Sequence, residues 1–157
     1  MSNQEFEFIT YSKEQSIIVE SGIKTIREVF STSSVANKRS LLFCFDKYLD
    51  PYYGYELSYF DEIIILLQEY LIKNEDIKVK KDILNLLSLY SKNELDYLAD
   101  KIDLIEPELL AETLYTLNMT YNPKYISIIS KYENHHSENV RNVVKVALSD
   151  LLKVQNN

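Results

Sequence analysis

The chain has 157 residues, 46% of them hydrophobic and 26% charged, with a formal net charge of −7. That length buries roughly two thirds of the surface the unfolded chain exposes, so one core or one continuous stacked core suffices, and a single domain over residues 1–157 is expected. The composition is close to the soluble globular average, so neither an intrinsically disordered chain nor an integral membrane protein is its natural reading. The acidic balance argues against nucleic acid as a partner, because phosphate-backbone affinity is largely counterion release by clustered Lys and Arg.

Residues 1–11 read as an N-terminal arm. The opening MSNQEFEFITYS carries acids where a secretory signal has basic residues, and no apolar core region follows it. The longest apolar run, IIILL at 63–67, is far short of a membrane span. A cytoplasmic protein without a membrane partner is therefore expected. Cys44 is the only cysteine, which rules out an internal disulfide and suits a small apolar core residue.

Two glycines and three prolines punctuate the chain, and its apolar residues recur at steps of three and four, the helical period. An all-α fold of eight helices follows. The first runs from about Ser12 to Phe30: Ser12 and Gln15 have capping-box spacing, and Ile18, Ile23, Ile26, Val29 and Phe30 form the apolar stripe. The second covers about 36–49 and stops at Pro51. Ser58 opens a third at about 59–73, and the polar run KNED turns the chain into a fourth at about 77–91. Asn93 precedes a fifth ending near Ile105. Pro107 and Pro123 sit at first helical positions of the sixth and seventh, where a missing N–H costs nothing, and Ser137 opens the eighth at about 138–153.

The even-numbered helices share a template. Val140, Val144, Ala147 and Leu148 have offsets 0, 4, 7 and 8, repeated by Val79, Ile83, Leu86 and Leu87 and by Leu41, Phe45, Tyr48 and Leu49. Leu110, Leu114 and Leu117 match the first three, and Asn118 breaks the fourth. The starts lie 38, 31 and 30 residues apart, so residues 50–58 look like an insertion between repeats one and two. The alternative is a non-repetitive helical bundle with accidental periodicity.

The last unit, NPKYISIISKYENHHSENVRNVVKVALSDLL at 122–152, resembles a HEAT-like repeat of the short bacterial type through its V-R-x-x-V-x-x-A-L run: Val140, Arg141, Val144, Ala147 and Leu148. Lys80 stands where Arg141 stands, and no acid recurs in the preceding turn. The resemblance implies four antiparallel helix pairs stacked as a short right-handed α-solenoid. Its concave wall, formed largely by second helices, would bind another macromolecule. Small acidic HEAT-like chains of this length also look like immunity proteins of bacterial polymorphic-toxin systems, which implies a non-catalytic chain neutralising a basic toxin domain by direct binding. An adaptor in a larger assembly is one alternative. A HEAT-like chain similar to the alkylpurine glycosylases is another, disfavoured by the missing basic groove.

No catalytic or cofactor motif is present. Glu133 and His136 make a single E-x-x-H, but a di-iron site needs a second such pair, and His135 is the only other histidine. One cysteine and one histidine pair give no zinc-ligand spacing, and Gly22 and Gly54 alone cannot build a phosphate cradle. The expectation is no enzyme, no cofactor and no metal. Tyr70, Tyr90, Tyr125 and Tyr132, at helical core spacing, read as core-edge residues with their hydroxyls in water.

Two candidate surfaces remain. In DPYYGYELSYFDE at 50–62, Tyr52, Tyr53, Tyr55 and Tyr59 flank Gly54 among the acids Asp50, Glu56, Asp61 and Glu62. Tyrosine offers a large contact area, a hydrogen-bonding tip and few rotors, so this stretch is either a partner-binding surface or a loop folded back into the seam between repeats. Asp96, Asp100 and Asp103, at i, i+4 and i+7, place like charges on one face of helix five, and Glu106, Glu108 and Glu112 extend them into a secondary acidic patch partly offset by Lys92 and Lys101.

Overall fold

The structure, a computed structural model, describes residues 9–90 and 94–157; most of the N-terminal arm, Lys92 and Asn93 lie outside them. All regular structure among the described residues is helical. The chain divides into two compact units, residues 1–60 and 61–157, and the division falls after Phe60, within the tyrosine-rich stretch 50–62. No helix among the described residues is long and apolar enough to cross a membrane.

The first unit holds α1 (Lys13–Glu20), α2 (Ile23–Thr32) and α3 (Val35–Leu49), followed by a 3-10 turn at Pro51–Tyr53. Ser12 and Gln15 form the expected capping box: the Ser12 amide donates to Gln15 Oε1 at 2.8 Å and the Gln15 amide to Ser12 Oγ at 3.3 Å. The helix expected over 12–30 is two helices. Gly22, the N-cap of α2, has φ 105° and ψ 173°, a conformation essentially closed to residues with a Cβ. The amphipathic stripe continues across the break, and this is why periodicity alone hides it. α1 packs on both α2 and α3, and Val19, Ile26, Phe30, Leu41, Leu42, Cys44 and Phe45 are buried. Burial pushes the Cys44 thiol pKa up, against the opposing effect of its contact with Ser16 Oγ at 3.7 Å.

A Cβ on Gly22 would meet no atom within 4 Å, so the constraint there is the backbone alone. Gly22→Ala should therefore lower stability by about 1–3 kcal/mol in a urea titration. Unchanged stability would contradict a left-handed break between α1 and α2.

The second unit contains α4 (Phe60–Ile72, all but its first residue), α5 (Ile77–Tyr90), α6 (Asp96–Asp100), α7 (Leu110–Asn118), α8 (Ile126–Ile129) and α9 (Glu138–Gln155). Short 3-10 turns cover Ile102–Leu104, Pro107–Leu109, Pro123–Tyr125 and Ser130–Tyr132. Both prolines begin their 3-10 turns, so each opens a helical segment through one tighter turn. Ser137 caps α9 through the Val140 amide at 3.4 Å. α7 packs against both α5 and α9, and α8 packs against α9.

The shared template describes a burial pattern. Its sixteen positions on α3, α5, α7 and α9 are all buried except Leu148, which is half-buried, with Leu151 a turn later fully enclosed. Asn118, which breaks the apolar pattern, is buried and donates through Nδ2 to Asp150 Oδ2 on α9 at 3.2 Å. The short α6 is held by distant side chains. Buried Gln68 of α4 accepts from the Leu98 amide at 3.1 Å, and the Tyr125 hydroxyl accepts from the Leu95 amide at 2.6 Å, satisfying donors that a helix start leaves orphaned. The Tyr125 hydroxyl is thus not in water as expected, and burial pushes its pKa well above the usual phenol range.

Candidate functional site

Pro51 ends α3, and Asp50 converts that end into a turn. Its Oδ1 accepts from the Tyr52 amide at 2.9 Å, and the chain then reverses through Gly54 at φ 70°, the left-handed region that glycine enters without steric cost. The turn throws the first tyrosines outward. Tyr52 is 87% exposed, Tyr53 55% and Tyr55 42%. The Tyr52 and Tyr53 rings meet edge to face, 5.3 Å between centroids.

The remaining tyrosines of the stretch bind inward. The Tyr55 ring lies 4.6 Å from that of buried Tyr48, and Lys47 Nζ sits 5.4 Å and 5.6 Å from the centroids of the two rings. A hydrogen bond to the Tyr55 oxygen raises the Lys47 pKa. The Tyr48 hydroxyl donates to Glu20 Oε1 at 2.6 Å, and its pKa is raised by burial first and by that carboxylate second. Tyr59 is half-buried and its hydroxyl donates to the Val19 carbonyl of α1. The stretch therefore divides: Tyr52 and Tyr53 are presented, Tyr55 is shared, and Tyr59 is a tether. Asp50 is half-buried and Glu56 exposed, whereas Asp61 and Glu62, exposed in the first turn of α4, belong to the second unit.

Two residues of this surface escape a reading centred on the tyrosines. Phe43 is exposed on α3, 5.8 Å from the Tyr11 ring, and Lys47 lies one turn further along. Phe43, Lys47 and Asp50, at offsets 0, 4 and 7, are the legible signal for them.

The acidic residues of the second unit are arranged differently from the expected helical face. Asp96 and Asp100 lie on α6, but Asp103 lies in the separate 3-10 turn Ile102–Leu104, so the i, i+4, i+7 register does not run through one helix. Asp96 accepts from the Tyr125 hydroxyl at 2.8 Å and pairs with Lys124 Nζ at 2.9 Å. The Asp103 carboxylate accepts from Tyr132 at 3.4 Å, and Glu106 pairs with Lys80, whose side chain is only 2% exposed. Half of the patch thus makes internal bonds, while Asp100, Glu108 and Glu112 stay exposed. Lys80 and Arg141 share a template position but not a role. Exposed Arg141 donates through Nη1 to the His135 and His136 carbonyls at 2.7 Å and 3.0 Å, fastening the turn before α9.

The Lys124 hydrogen bond, followed by that of Tyr125, holds the Asp96 carboxyl below its ordinary pKa. A depressed folded-state value contributes stability that is present above the unfolded value near ~3.9 and is lost as pH falls through the folded one. Asp96→Asn should therefore melt below the native chain at pH 7, with the gap closing below about pH 4. Asp96 is exposed, so the gap is small. A gap that widens on acidification would contradict this assignment.

In the first unit a cleft of about 190 Å³ opens among Ser12, Glu14, Gln15, Ile18, Val29, Ser33, Asn37 and Leu41. Its polar lining is partly committed locally, Ser12 and Gln15 to the capping box and Ser33 to the Val29 carbonyl at 2.6 Å. Among the described residues no group of three or more His, Cys, Asp or Glu side chains could hold a metal ion. No family model, curated protein or solved structure matches this chain.

Proposed function

We propose that this chain is a non-catalytic protein-binding module that neutralises a basic toxin domain in the bacterial cytoplasm by direct contact, in the manner of small immunity proteins. The observation that carries the reading is the outward presentation of Tyr52 and Tyr53 by a built turn: a capped helix end, an Asp50 hydrogen bond and a left-handed glycine hold two large rings in solvent. Exposed aromatic pairs are costly to leave in water and gain most by desolvation against a partner. The net charge of −7 favours encounter with a basic surface. In this reading the helices stack as a short right-handed HEAT-like solenoid of antiparallel pairs. The shared burial template and the packing of α7 on both α5 and α9 support it.

The test is co-expression with a basic toxin domain encoded beside this chain's own gene. Growth should be restored and the two chains should purify as a stoichiometric complex. Continued growth arrest, with no complex at micromolar concentration, would overturn the proposal.

A further inference from the structure

We infer that the turn from Asp50 to Glu56 takes an arginine side chain of the partner, its guanidinium set against the Tyr52 and Tyr53 rings and the Asp50 and Glu56 carboxylates. This rests on reading the same turn as the docking surface and adds the chemistry of the group that docks.

The structure repeatedly covers aromatic rings with its own lysines. Lys38 lies over Phe30, Lys47 over Tyr48 and Tyr55, Lys73 over Tyr70, Lys101 over Tyr97 and Lys124 over Tyr125, all within 5.0–5.6 Å of the centroid. Among the described residues no cation of this chain lies over Tyr52 or Tyr53, the most exposed pair of rings in contact. Asp50 and Glu56 likewise have no ion pair among the described residues. Asp50 spends Oδ1 on the Tyr52 amide, which fixes its carboxylate at the Tyr52 backbone and leaves Oδ2 for a guest. Ring faces and two carboxylates without an ion pair, carried on one turn with Lys47 committed to the Tyr48 and Tyr55 rings, make a cation acceptor.

Arginine fits this acceptor better than lysine. A guanidinium is planar and weakly hydrated, so it stacks on a ring while its edge donates to a carboxylate. An ammonium is a strongly hydrated point charge that cannot do both.

The probe is acetyl-triarginine amide, titrated into the full chain at low salt, with acetyl-trilysine amide as the charge-matched control and the Tyr52 and Tyr53 ring NMR signals as the readout. The arginine peptide should shift both rings saturably and bind about 2- to 5-fold more tightly than the lysine peptide. Asp50→Asn keeps an Oδ1 acceptor for the Tyr52 amide and removes only the charge, and Glu56→Gln alters an exposed side chain that cannot unfold the protein. Each should weaken arginine binding by about 2- to 5-fold and leave the chain folded. Equal affinity for the two peptides, no shift at Tyr52 and Tyr53, or affinity unchanged in both variants would overturn the inference. If those results arise while Tyr52→Ala still weakens the toxin complex, the docking surface stands and only its arginine guest is removed.

Discussion

Leu114→Ala should lower the free energy of unfolding by about 2–5 kcal/mol, measured by urea titration. Leu114 is wholly enclosed on α7, the helix that packs against both α5 and α9. Alanine is the better helix former, so local propensity cannot account for a loss, and what remains is lost transfer energy plus the cavity left behind. Neighbours on two sides limit how far the site can collapse. Val146, exposed on α9, is the matched control: Val146→Ala should change stability by less than about 0.5 kcal/mol. A loss below about 1 kcal/mol at Leu114 would mean that the template positions do not form a tightly packed core.

Tyr52→Ala should weaken the proposed toxin complex by about 2–4 kcal/mol, the range of an aromatic anchor at the centre of an interface, and leave the melting temperature nearly unchanged. The ring contacts Tyr53 and is otherwise in water, so its removal takes little from the folded state. Tyr59→Ala should behave in the opposite way, lowering the melting temperature because its hydroxyl ties the chain to α1. Calorimetric affinity and thermal melts of the two variants, measured side by side, separate an anchor from a tether. A melting loss at Tyr52 as large as that at Tyr59, with affinity unchanged, would assign the whole stretch to packing.

Much of the helical layout is legible in the sequence because helix starts are local events. Ser12, Ser137, Pro107 and Pro123 do their expected work within a few residues of where they stand. The apolar template is legible for the same reason, since period and burial are two views of one helix face. What the sequence hides depends on partners distant along the chain or on a single backbone angle. Gly22 splits the first helix without interrupting its stripe, and the acids near residue 100 pair with Tyr125, Lys124, Tyr132 and Lys80, some 26 to 29 residues away in the bonded contacts. The tyrosine stretch is half legible. Composition marks it, but only the fold separates Tyr52 and Tyr53, turned outward by Asp50 and Gly54, from Tyr59, held at Val19.

The most direct test of the proposed docking surface is a tyrosine-nitration footprint of the chain alone and in complex with the proposed toxin domain. Tyr52 and Tyr53 should be modified readily in the free chain and protected in the complex, while Tyr115 and Tyr121, also exposed but in the second unit, keep their reactivity. Full reactivity of Tyr52 and Tyr53 in the complex, with protection falling on Tyr115 or Tyr121 instead, would contradict the account.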